Sequence, residues 1–360
     1  MAEAADTQEG FLRRATVSPL TVQRYATSAN MVAVFLGQPL RAFMLKDLDR
    51  RLSEYIENLY LCGESLSVAR YALYGVAFHL DVPMHDAIVF ALSRTSLTGF
   101  GRKAPQNSRD PPPVEVVWLL AEFMLRLLPG PLGGRAAALV WLAFDGYLRP
   151  TEALSLRKDD VYTSVTKKVM HISVVVAPLS RGTPAKNKQF DDGYTVGAHG
   201  RIEAKRMMQV LVEGTPDKEL LFPDITLPMW EAWCRQFSSA EKLKISPHCL
   251  RHGGPSHDVY HHQATIQDVQ WRGRWMAVES CRRYTKPAKM LRARAALTPS
   301  QLKRAEEAAR HVEAQILARL GRELRNDGVA PLARRVLGLK RAPQIHGGPA
   351  AARKRKLSCG

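Results

Sequence analysis

Apolar side chains recur at three- and four-residue steps through the first hundred positions, and these steps predict helices. Over 47–60, Leu48, Leu52, Tyr55, Ile56 and Leu59 fall on one face, and Gly63 closes the segment. Ser18 and Pro19 form an N-cap and first-turn pair ahead of Leu20, Tyr25, Val32, Val34 and Phe35. Two further helices are predicted over 65–78 and 83–97. Together they make a small all-helical domain over 17–100, preceded by a flexible leader at 1–16. The pattern breaks over 98–113. Glycines, basic residues and the run Pro111 to Pro113 read there as an interdomain linker, set at 101–113. The plainer alternative is a surface loop within one domain.

Helical spacing resumes over 114–128 and 135–144. At 168–176 the residues turn β-branched and predict a strand, with 193–196 as its returning partner across a long polar loop. Helices follow over 200–213 and 226–237, and a last one over 296–325 with Ser300 as its cap. The fold class expected is therefore mainly α with a small β-sheet: the helical domain, a mixed domain over 114–290, a helical extension over 291–333 and a tail over 334–360. The last helix carries Leu302, Ala305, Ala309, Val312, Ile316 and Leu320 as an apolar stripe. It buries that stripe either on its own domain or on a neighbouring copy.

Charge changes the picture. Lys and Arg total 52 against 34 Asp and Glu, a net +18. Such an excess favours a polyanionic partner, because each neutralised phosphate releases condensed counterions. The tail holds eight Lys/Arg and no Asp/Glu, so the larger share of the excess lies elsewhere. Within the tail, Arg353, Lys354, Arg355 and Lys356 read as a nuclear-targeting or nucleic-acid-binding cluster, or as a solvated disordered end. The five cysteines show no CxxC spacing, which argues against a disulfide framework or zinc knuckle. No secretory core or membrane-length apolar run is present, and an intracellular protein is expected.

Candidate chemistry is concentrated in two places. Residues 247–287 contain His248-x-x-Arg251-His252, then Gly273-Arg274-Trp275, then Tyr284 nine residues after Trp275. About a hundred residues upstream stands Leu148-Arg149-Pro150-Thr151-Glu152. Taken singly, each has an ordinary role: a helix-end arginine, a loop histidine, a core tryptophan, one tyrosine among ten. Their joint order is what matters. Arginine forks suit phosphate oxygens, a phenol can attack phosphorus and leave again, and an indole N–H can donate to a phosphate oxygen. Glu152, three residues after Arg149, could orient it.

This ordered set resembles the active site of the tyrosine recombinase (phage integrase) family, over about 114–286, in a form closer to the recombinase-like proteins of eukaryotic mobile elements than to bacterial ones. The resemblance implies a helical SAM-like core-binding domain ahead of the catalytic domain. It also implies DNA cut and rejoined through a 3′-phosphotyrosine. Arg149, Arg251, His248, Trp275 and the nucleophile Tyr284 would be catalytic, with Glu152 and His252 supporting. His248 would be a base or a hydrogen-bonding aid. The family's general-acid lysine, in the loop between two strands, matches Lys186 best, with Lys188 as the alternative. Double-stranded DNA is the expected partner, with self-assembly into a synaptic oligomer. No metal or cofactor is implied, since cleavage energy is kept in the phosphotyrosine bond. A type IB topoisomerase-like enzyme and a domesticated non-catalytic DNA-binding protein of the same fold are the alternatives. Two departures stand out. Pro255 follows Arg251-His252, so a helix is expected to restart there. His257 and His261, one turn apart, with His262, raise a metal reading that lacks an HExxH glutamate.

Overall fold

The computed structural model describes residues 17–83, 88–104, 109–166, 169–182 and 190–326. Lys186, Lys188, the leader and the basic tail, including the 353–356 cluster, lie outside the described residues. The chain divides into two compact units, 1–108 and 109–360.

The first unit is helical: α1 (Pro19–Leu36), α2 (Leu45–Leu61), α3 (Leu66–His79) and α4 (Ala91–Lys103). The side chains of Ser18 and Ser65 cap α1 and α3. Val32, Leu48, Leu52, Ile56, Leu73 and Val76 form the core, while Val34 is exposed. The fourth helix begins at Ala91, not at 83. The buried Asp49 carboxylate on α2 accepts the Leu92 and Ser93 N–H groups, each at 2.9 Å, and this fixes where α4 starts. The helix then runs through 98–103, where sequence composition predicts linker.

The second unit is built on α5 (Val114–Leu127) and α6 (Gly130–Asp145). From Ala136 to Asp145 every residue of α6 is buried, so α6 is the axis of the core. Next come α7 (Pro150–Ser155), β1 (Val161–Thr166), β2 (Val169–Val176) and β3 (Asp192–Thr195). They form an antiparallel sheet in the order β1-β2-β3, with Val174 opposite both Val161 and Tyr194. Ile172, Val174 and Val176 point inward, which is the period of two expected of a half-buried strand. Strand β1 is absent from the sequence expectation, because VYTSVT has too few apolar residues to mark a face.

The remaining helices are α8 (Ile202–Gly214), α9 (Leu227–Glu241), α10 (Pro247–Tyr260), α11 (Ile266–Arg272), α12 (Val278–Arg282), α13 (Pro287–Ala295) and α14 (Pro299–Asn326). No described helix is long and apolar enough to cross a membrane. Helix α10 does not restart at Pro255; it continues through it. Such a proline costs roughly 3 kcal/mol in a helix interior. Tight burial offsets that cost. A Cβ at Gly254 would collide with the Phe144 carbonyl and lie 2.6 Å from the Tyr147 ring, so α10 meets the end of α6 backbone to backbone.

Helix α14 is capped by Thr298 and Gln301, which exchange hydrogen bonds with each other's N–H, and not by Ser300. Its stripe is Ala305, Ala308, Val312, Ile316, Leu317 and Leu320, buried in the core that α5, α6 and α8 also line. Ala309 is exposed, one position off the face. Of the two destinations the sequence leaves open, the stripe takes its own unit. Ile316→Ala is therefore expected to cost about 2–5 kcal/mol in urea unfolding, as buried Ile-to-Ala changes do. An unchanged midpoint would show the stripe to be dispensable.

Candidate active site

The site forms where α7, α10 and the α11–α12 segment meet the end of α6. Tyr147, just past α6, holds φ +50°, a left-handed conformation that turns the chain into Arg149 and α7. Arg149 is the N-cap of α7, and its N–H donates to Glu152 Oε2 at 2.8 Å. The Arg149 guanidinium pairs with Glu152 Oε1. Arg251, on α10, is fully buried. It donates through Nη2 to the Gly273 carbonyl at 2.8 Å, through Nη1 to the Tyr147 carbonyl, and sits 3.3 Å from Glu152 Oε2. Arg274 reaches the same carboxylate oxygen at 3.0 Å. One carboxylate thus faces three guanidiniums. Burial raises the Glu152 pKa, but Arg274, Arg251 and Arg149 outweigh it and hold the group at about 2. The Arg251 pKa is lowered, first by burial, and the Arg274 and Arg149 charges add to that against the pull of Glu152.

Tyr284 follows α12, stacks on two rings and lies near a third. The His252 ring lies 4.5 Å away, the Trp275 ring 4.8 Å and the tilted His248 ring 6.2 Å. The Arg251 guanidinium is 5.3 Å from the Tyr284 ring and 4.9 Å from that of Trp275. Trp275 owes its place to Gly273, since a Cβ there would run into the indole ring. Arg149, Glu152, His248, Arg251, His252, Trp275 and Tyr284 are thus gathered in one site, with His252 nearer the Tyr284 ring than His248 is. Arg251 Nε, His252 Nδ1 and Trp275 Nε1 are buried and have no hydrogen-bond partner among the described residues. Three unsatisfied buried nitrogens in one place are costly unless a polar group arrives to meet them.

Sequence reasoning missed several residues. Ser256, fully buried, accepts the Lys286 N–H at 2.9 Å and lies 3.2 Å from the Tyr284 carbonyl, tying the tyrosine segment to α10. Behind the arginines, Arg201 bridges Asp145 and Asp258, and Arg272 pairs with Asp145 at 2.9 Å. Tyr147 Oη donates to Asp258. The available signal was a charged residue, Asp145, ending a long apolar run. His257 packs on Phe144 and His261, at 5.9 and 4.3 Å between rings. Among the described residues no group of three His, Cys, Asp or Glu could hold a metal ion.

No protein-family model and no curated protein sequence matches the chain. Among solved structures it is similar to the XerH site-specific recombinase bound to palindromic difH substrate in a post-cleavage complex. That match has 18% identity over 72% of this chain and 73% of that one, at a TM-score of 0.48. It is also similar to XerH bound to difH in a pre-cleavage complex, with 14% identity, 69% and 70% coverage and a TM-score of 0.44. A third similarity is to the XerA recombinase, with 16% identity, 84% and 95% coverage and a TM-score of 0.34.

Burial lowers the pKa of His252 to about 3 and of His257 to about 4. Both are neutral in the fold, and the unfolded chain binds their protons below about pH 6.5. Their stabilisation is complete above that pH and is lost as pH falls toward 4 and 3. Each is expected to contribute a slope of up to about 1.4 kcal/mol per pH unit. Urea titrations between pH 7 and 5, above the carboxylate range, check this, and His252→Asn should flatten the slope. A variant as steep as wild type would show that His252 already protonates in the fold.

Proposed function

We propose that this chain is a DNA strand transferase of the tyrosine recombinase kind, with Tyr284 as nucleophile. The observation that carries the reading is the convergence on Tyr284 of Arg251, His252 and Trp275, whose Nε, Nδ1 and Nε1 are buried without partners. A phosphodiester beside the tyrosine would give the Arg251 and Trp275 N–H groups acceptors. It would also answer the positive charge that one Glu152 leaves on three arginines.

In this reading the Tyr284 oxygen forms a bond to phosphorus and the bond to the 5′ oxygen breaks, leaving a 3′-phosphotyrosine and a free 5′-hydroxyl. The phenol proton passes to His248 or through it to water. The leaving oxygen takes a proton from Lys186 or Lys188. Arg149 and Arg251 hold the non-bridging oxygens, and Trp275 donates to one of them. Glu152 and His252 support these groups. A 5′-hydroxyl, from the same or a partner strand, reverses the step. The helical first unit serves as a DNA-binding domain, the net +18 charge supplies affinity for the duplex, and copies assemble on paired sites.

The test is covalent capture on a library of nicked random-sequence duplexes, read on denaturing gels and by sequencing the trapped DNA. Wild type should leave a protein–DNA adduct. Tyr284→Phe should abolish it while DNA affinity stays within a few-fold. An adduct surviving in Y284F would place the nucleophile elsewhere.

Arg149→Ala and Arg251→Ala should each lose roughly 2–4 kcal/mol of barrier lowering, or about 30- to 900-fold in rate, with little loss of binding. Trp275→His should retain cleavage and Trp275→Ala should not. Wild-type rates in W275A would reduce Trp275 to packing.

A further inference from the structure

Arg274 belongs to neither arginine motif, yet its side chain is as enclosed as that of Arg251. It donates to Glu152 Oε2 at 3.0 Å, to the Arg272 carbonyl at 2.9 Å, and more weakly to the Gly146 and Tyr147 carbonyls at 3.3 and 3.4 Å. Two of these acceptors, Glu152 Oε2 and the Tyr147 carbonyl, are the ones Arg251 also uses. The backbone at Arg274 is left-handed, with φ +57°. Glycine would sit there without strain, whereas any other residue costs roughly 1–2 kcal/mol. A strained, buried third cation beside a carboxylate that two other arginines already face is a poor way to stabilise a fold, since like charges out of water repel strongly. It makes sense as part of an anion site.

We propose that Arg274 is a positioning residue for the phosphodiester: by engaging Glu152 and the Tyr147 carbonyl, it leaves the Arg149 and Arg251 charges available to the phosphate oxygens. The proposal rests on the reading of this site as a phosphodiester centre. Without Arg274, the Glu152 carboxylate is divided between Arg149 and Arg251 alone and neutralises one of them. With it, three cations share one anion, and the excess of positive charge faces Tyr284. Arg274 therefore acts through Glu152 and Arg251 rather than by touching the DNA.

The test separates anion capture from strand cleavage by using inorganic phosphate as the probe. Thermal melting in phosphate is compared with melting in chloride at matched ionic strength. Wild type should melt higher in phosphate. Arg274→Met, which keeps an unbranched apolar stem and removes the charge, should lose about tenfold in phosphate affinity and most of the shift, on the scale of one charge-assisted hydrogen bond. Arg274→Lys should retain the shift. If R274M does not fold, Arg274→Gly decides, because glycine suits the backbone; millimolar guanidinium should then restore the phosphate shift. The inference is overturned by a wild type with no phosphate shift, by a full shift in R274M, by equal loss in R274K and R274M, or by an R274G that guanidinium does not restore. If the phosphate results hold but wild type forms no Tyr284–DNA adduct on nicked duplexes, the strand-transfer reading fails and the anion site stands.

Discussion

The second unit is organised around one buried carboxylate. Glu152 takes the Arg149 N–H and faces the guanidiniums of Arg149, Arg251 and Arg274. Each arginine comes from a different stretch of chain: the turn after α6, helix α10 and the loop after α11. A buried carboxylate left without such partners would be strongly destabilising, so the fold must bring them to it. Its position therefore fixes the relative position of three elements. The left-handed turn at Tyr147 belongs to the same arrangement, because it directs a carbonyl at two of the same arginines.

A second ionic layer supports the first. Asp145, at the end of the buried axis helix, meets Arg201 and Arg272, and Arg201 passes on to Asp258 of α10. Arg272 also donates to the Thr195 carbonyl at 2.6 Å, which brings the sheet into the network. Charges here are largely matched, unlike those around Glu152. The contrast is one of net charge: both networks fix where elements sit, but the unmatched one also leaves a positive potential.

Much of this was legible in the sequence. The three-residue step from His248 to Arg251, and the nine residues from Trp275 to Tyr284, are local spacings that survive folding as written. So are the cap at Ser18 and the β-branched run of β2. Less legible was whatever depended on a distant partner. Asp49 decides where α4 begins from 43 residues away, and nothing in the helix's own residues records it. Pro255 reads as a break until α6 is known to press against Gly253 and Gly254 beside it. Arg274 looks like one more basic residue in a chain rich in them; only burial beside Glu152 distinguishes it. Strand β1 acquires its identity from pairing with β2 rather than from its own composition.

The arginine contacts also carry a consequence for the order in which the fold is completed. Arg251 is separated from Glu152 by 99 residues and Arg274 by 122. Loops of that length close late, after local helices have formed, because chain entropy opposes them until other contacts help. A nascent chain emerging from the ribosome would carry Arg149 and Glu152 long before it held Arg251, Trp275 or Tyr284. The earlier pair neutralises itself in the meantime. Glu152 therefore gains its second and third arginines only as the fold is completed, and a partly made chain holds the Arg149–Glu152 pair alone.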